Sequence, residues 1–339
     1  MNVNQNTGRN YCISILRVLG MLFIILCHIA SWLDIAFLEQ FFNYGVYIFL
    51  FISGFLYANK EINSPSEWFL TRVKKLLIPF YLFVIPVSIV YFKINGFDGL
   101  EAIKYLFCLQ GINFITPFIP FSEIKPLGNL WFVTIILICY LLTILVKKIE
   151  KKHKLNIAVI ILILVAAWFI PKIMMCFNIP YISLEYFVTY FLGYYISKFK
   201  VKNPLPIFII YGLFLFLASI GIRLVGKYCF DNSINNFYLL IVSATHLGLA
   251  ISTYFICNYL VNKFTIFIKI AKSNIWITFD KLSYPIYITH YAFLNSVTSV
   301  DNFGLSKPIS FILFILMTIT SALIIFYIDK AIQNKIIRT

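Results

Sequence analysis

Residues 11–33 read YCISILRVLGMLFIILCHIASWL, an apolar run broken by one arginine, Arg17, and one histidine, His28. A bilayer core about 30 Å thick is crossed by roughly 20 helical residues, so this stretch is long enough to span it. The internal charge, the length and the lack of a small-residue cleavage site set it apart from a secretory leader; it reads as a helix of the mature chain. The remainder of the sequence repeats the pattern. Of 339 residues, 61% are hydrophobic, 19% aromatic and only 12% charged, against about 25% charged in a soluble domain. A soluble fold has no interior large enough for that much apolar surface, so the main solvent is lipid.

Nine further runs have the same character: 41–58, 76–93, 129–147, 155–171, 181–197, 204–226, 237–262, 282–299 and 308–329. Lipid offers no partner for an unpaired backbone group, which leaves helices as the element. The prediction is an all-α, polytopic transmembrane helical bundle of about ten helices, organised as one membrane-embedded domain over 1–339. Pro171 and Pro180 bracket either a short linker between the fifth and sixth helices or a break within one helix. With the N terminus inside, twenty of the 28 Lys and Arg residues fall on one side, in segments such as Arg72–Lys75, Lys147–Lys154 and Lys263–Lys281, and seven on the other. The excess of basic residues in cytoplasmic loops then places both the N and C termini in the cytoplasm. The formal net charge of +15 is thereby a topological signal, and no nucleic-acid partner is expected although basic chains often bind phosphate backbones.

Residues 94–128 form a long outer loop with Phe114, Pro117, Phe118, Pro120, Phe121 and Glu123. Loops of that length are more often functional than connecting; its aromatics either stack on a sugar ring or anchor at headgroup level. Seven cysteines are scattered, mostly within apolar runs and with no Cys-x-x-Cys pair, and read as buried thiols. His28, His246 and His290 lie in apolar runs without a carboxylate at ligand spacing, so no metal is expected; His153 sits in a basic loop.

Ionisable residues at membrane depth are costly and face the interior of a bundle. Arg17 and His28 are eleven residues apart, a rotation of about 1100°, within roughly 20° of three turns, and a rise of about 16 Å. They therefore share a face, with Arg17 near the cytoplasmic end. For Arg17 alone, snorkelling to the interface is the competing reading; for His28, a hydrogen-bonded structural histidine.

The arginine, ten residues, histidine spacing resembles that of the acyltransferase-3 family of integral-membrane O-acyltransferases. Four more segments resemble that family in the same order: Gly45–Leu56, ending in Ser53-Gly54-Phe55; the basic entry Phe69–Tyr81; Asn129-Leu130-Trp131-Phe132; and Leu282–His290 with Ser283-Tyr284, Tyr287 and His290. The resemblance runs from about residue 9 to 330. Tyr47 stands where the family often carries an acidic residue, and Arg72 and Lys75 stand where it often carries two arginines. The chain ends with its last helix, so no fused extracytoplasmic hydrolase-like domain is expected.

The resemblance implies transfer of an acyl group, usually acetyl, from cytoplasmic acyl-CoA to a hydroxyl of a lipid-linked or cell-surface glycan, in the inner (cytoplasmic) membrane. Acyl-CoA is then the donor substrate, and membrane lipid and a glycan acceptor are the partners. Arg17, Arg72 and Lys75 are the expected donor-phosphate contacts, since arginine binds phosphate bidentately and lysine as a point charge. Arg17 and His28 are the expected catalytic pair, with His28 as general base or as the carrier of an acyl intermediate. Ser53, Trp131, Glu123 and His290 are the expected substrate contacts, and Ser53-Gly54 also suits a close helix approach. A polysaccharide exporter or flippase is the alternative from another class, and would move its substrate without consuming acyl-CoA.

Overall fold

The computed structural model describes residues 10–115, 127–153, 156–177, 179–201, 214, 217, 221 and 236–338. Among these, every regular element is helical. Among the described residues, six helices are long and apolar enough to cross a membrane: Tyr11–Trp32, Pro65–Asn95, Gly128–Lys152, Ile157–Cys176, Val242–Lys263 and Lys307–Lys335. The protein is thus a multi-pass, all-α membrane protein, as its apolar runs predict.

The described helices are α1 (Tyr11–Trp32), α2 (Ala36–Phe42), α3 (Gly45–Ala58), α4 (Pro65–Asn95), α5 (Gly99–Phe107), α6 (Ile112–Ile115), α7 (Trp131–Lys152), α8 (Ile157–Cys176), α9 (Glu185–Lys198), α10 (Asn236–Lys263), α11 (Thr265–Lys272), α12 (Asn274–Asn295) and α13 (Lys307–Arg338). Several boundaries depart from the sequence expectation. The second run, 41–58, is mainly α3, and a separate short helix, α2, precedes it from Ala36. The third begins eleven residues early, because Ser64 caps the helix by accepting from the Glu67 N–H and Pro65 takes the first turn, where a missing N–H costs nothing. Pro171 does not end the fifth helix but lies inside α8, as prolines in membrane helices can when neighbours re-satisfy the backbone. The outer loop carries α5 and α6. Its segment 116–126, with Glu123, lies outside the described residues, as does the seventh expected helix, 204–226, apart from 214, 217 and 221.

The chain divides into two compact units, one built from residues up to Lys60 with Asn156–Ser283, the other from Glu61–Leu155 with Tyr284–Thr339. Helix α12 contributes its first ten residues to the former and the rest to the latter.

In the first unit the core gathers Leu16, Ile48, Phe51, Ala250, Phe255 and Ala271. Helices α3 and α9 are its tightest pair. Tyr47 bonds Glu185 near one end and Asn59 bonds Ser197 at the other, both pairs 138 residues apart in sequence, so the helices run parallel and in register. Between those ends, a Cβ on Gly54 would lie 1.9 Å from the Tyr190 carbonyl oxygen, and one on Gly193 2.0 Å from that of Phe51. Backbones meet that closely only where both side chains are missing. Each helix has 14 residues, about 21 Å, shorter than a bilayer core of about 30 Å.

In the second unit, α4 carries Pro79 and Pro86 within its length and packs on α7 and α13. The outer segment is docked on α7: the Gly111 N–H donates to Thr134 Oγ1 at 2.8 Å, and a Cβ on Gly111 would meet the Trp131 carbonyl oxygen at 2.5 Å. Within α5, Lys104 is fully buried and pairs with Glu101 at 2.9 Å. What reads in sequence as a long outer loop carries two short helices over 99–115.

Candidate active site

Helix α1 runs unbroken from Tyr11 to Trp32, so Arg17 and His28 keep the eleven-residue spacing that puts them on one face. Arg17 does not stand alone. Its Nη1 donates to Asp280 Oδ1 at 2.6 Å, and one turn earlier Ser14 Oγ donates to Asp280 Oδ2 at 2.8 Å. The Asp280 side chain is 9% exposed and that of Arg17 35% exposed. A guanidinium carries five N–H donors in a planar fork; Asp280 engages it at Nη1, and the side chain stays partly accessible. His28, eleven residues along, is half-buried. Ser53 is half-buried on α3 beside the Gly54 contact with α9.

A second buried polar cluster lies in the same unit and was not legible from motif spacing. Glu185, in the first turn of α9, receives hydrogen bonds from Lys172 Nζ at 2.6 Å, from Tyr47 Oη at 3.1 Å and from Ser243 Oγ. Tyr186 and His246 pack at a tilt against Tyr47, with ring centroids 5.5 Å and 5.1 Å from it. Carboxylates are favoured at a helix N-terminus, where N–H dipoles point outward, and the lysine supplies the counter-charge that a buried carboxylate requires. Lys172 reads in sequence as a loop residue only because Pro171 looks like a helix end. Continuing α8 past that proline carries the ammonium into the bundle. Tyr47, at a position where an acidic residue is expected, hands its hydrogen bond to a carboxylate from another helix.

In the second unit His290 is fully buried. Its Nδ1 lies 2.8 Å from the Tyr287 carbonyl oxygen; a carbonyl only accepts, so Nδ1 carries the proton and, in the neutral ring, Nε2 holds the lone pair. Asn129 Nδ2 donates to the same carbonyl at 3.0 Å, and Tyr287 Oη donates back to the Asn129 carbonyl. This reciprocal pair ties the turn before Trp131 to the helix bearing His290. Phe132 packs edge-on against Tyr287 with centroids 5.7 Å apart. Arg72 lies 5.9 Å from the Trp68 ring centroid, a cation–π distance, and Lys75 is exposed and acts electrostatically on Asp329 of α13.

Arg17, His28 and Ser53 therefore belong to one unit, and Arg72, Lys75, Trp131 and His290 to the other. The residues added by the structure are Ser14, Asp280, Lys172, Glu185, Ser243, Asn129 and Tyr287. Among the described residues, no three His, Cys, Asp or Glu side chains converge as a metal site. The acyltransferase-domain family model known as acyltransferase-3 matches residues 10–327, nearly the whole chain. The chain belongs to the acyltransferase-3 family. No curated protein and no solved structure matches it. As an acyltransferase-3 protein it is a membrane enzyme of acyl transfer, and the segments around Arg17, Ser53, Arg72, Trp131 and His290 all fall inside the matched span.

Proposed function

We propose that this acyltransferase moves an acyl group, acetyl in the expected case, from cytoplasmic acyl-CoA to a hydroxyl of a cell-surface or lipid-linked glycan in the cytoplasmic membrane. The observation that carries this reading is the Arg17 guanidinium, tethered at Nη1 by Asp280 and still partly accessible, on the same continuous helix as His28. Arginine in that state suits the phosphate oxygens of a nucleotide-bearing donor. The rise of about 16 Å to His28 is of the order that an extended pantetheine arm bridges.

His28 then accepts the proton of the acceptor hydroxyl as its oxygen attacks the thioester carbonyl. The carbon–sulfur bond breaks, and the proton passes to the departing thiolate; an acyl-histidine formed first would divide the same transfer into two steps. Arg72 and Lys75 are proposed as further phosphate contacts, and Ser53, Trp131, Glu123 and His290 as substrate contacts, on the sequence resemblance. The hydrogen bond that fixes His290 Nδ1 supports its role as an oriented acceptor at Nε2.

The test is twofold. Purified protein should be stabilised against heat by CoA or acetyl-CoA, as any ligand selective for the folded state requires. In vesicles it should transfer labelled acetyl groups to membrane-linked glycan. Glycan movement across the vesicle without acetyl-CoA consumption would replace this reading with an exporter.

A further inference from the structure

We propose that Asp280 is a positioning residue of the donor site: it holds the Arg17 guanidinium against α1 and aims its accessible edge at the phosphate groups of the acyl donor. The inference rests on the reading of Arg17 as a donor contact. Both oxygens of the carboxylate are committed to α1, Oδ2 to Ser14 at 2.8 Å and Oδ1 to Arg17 at 2.6 Å. Ser14 and Arg17 are one turn apart, so the carboxylate spans a single face of the helix and is itself fixed from two sides. The asymmetry of exposure, 9% for Asp280 and 35% for Arg17, means the anchor is inside and the anchored group is accessible.

That division matters because of where Arg17 sits. A long cationic side chain near the end of a membrane helix extends freely toward the interface unless a partner holds it. The tether engages Nη1 and so restricts how the planar fork can turn, which matters for a group that grips phosphate bidentately. Removing the carboxylate raises the local positive charge, which by Coulomb attraction alone would favour an anion. It also releases the guanidinium to solvent, where attraction is weak and orientation is lost. At an exposed guanidinium the orientation effect is the larger, because water screens the gain in charge.

A carboxylate that merely clasped α1 to α12 would affect stability and leave the kinetics with the donor untouched, which separates the two roles. Full-length protein in vesicles carrying Asp280→Asn keeps the side-chain shape and one acceptor oxygen but loses the charge. KM for acetyl-CoA should rise about tenfold, the loss of one oriented charge-assisted hydrogen bond, with kcat within about twofold of the parent. The heat stabilisation given by CoA should shrink, and Asp280→Glu should restore part of both. Parental KM and CoA stabilisation in Asp280→Asn, alongside their loss in Arg17→Ala, would overturn the positioning role while leaving the donor reading intact. Undiminished CoA stabilisation in Arg17→Ala would overturn both. Should Asp280→Asn fail to fold, Ser14→Ala removes the hydrogen bond that Ser14 gives Asp280 Oδ2; a KM rise of about threefold supports the proposal, and an unchanged KM overturns it.

Discussion

Gly54 of α3 lies against the backbone of Tyr190 in α9 so closely that a methyl group in place of its hydrogen would stand 1.9 Å from the Tyr190 carbonyl oxygen. The obstacle is backbone, which cannot rotate aside, and Gly193 meets Phe51 in the same way from the other helix. Gly54→Ala and Gly193→Ala should each force the two helices apart and destabilise the protein by at least about 1–3 kcal/mol, the usual cost of overpacking. Gly99→Ala serves as the control, its nearest atom being 3.8 Å away. Melting in detergent should show both interface variants well below the parent and Gly99→Ala unchanged.

Lys172 and Glu185 should behave as a pair. Glu185→Gln leaves a buried ammonium without its counter-charge, a change that costs about 3–5 kcal/mol in buried pairs. The double variant Glu185→Gln, Lys172→Met removes both charges and should recover a large part of that loss. Chaotrope or heat denaturation of the two singles and the double closes the cycle; strictly additive losses would contradict the pairing.

His28→Ala should express and fold as the parent does while losing acyl transfer by about 10²–10⁴-fold, the range for a missing general base. Retained CoA stabilisation in the same sample would separate chemistry from donor binding. Full transfer activity in His28→Ala would remove the proposed base.

Cys108 should be a slow thiol. It is buried at the left-handed cap after α5, and burial pushes its thiol up to about 11. At pH 8 only about one molecule in a thousand then carries the reactive thiolate, and the fraction grows as pH rises toward that value. Peptide mapping after brief maleimide treatment should find exposed Cys176 modified and Cys108 unmodified until the protein is denatured. Rapid labelling of Cys108 in the native protein would contradict its burial.

Hydrophobic run length made the membrane class, the all-helical architecture and most helices legible, because lipid leaves the backbone no alternative to internal hydrogen bonding. The spacing of Arg17 and His28 was legible for a similar reason: helical periodicity is local, and an eleven-residue interval fixes a shared face without knowledge of any neighbour. Even Ser53-Gly54 announced a close approach, though not the helix approached.

Partners across sequence distance were a different matter. Nothing in the run around Pro171 announces that the helix continues and buries Lys172, since proline ends helices in water and is tolerated in membranes only when neighbours compensate. Asp280 is one acidic residue beside Lys281 and is unremarkable until α12 is laid against α1, 263 residues away in the chain. The sequence by itself determined which segments lie in lipid and which polar side chains share a helical face, because both follow from solvent and local geometry. Only the tertiary structure decided which carboxylate holds Arg17 and which cation answers Glu185, because counter-charges are chosen by helix packing, and packing joins residues that sequence order keeps apart.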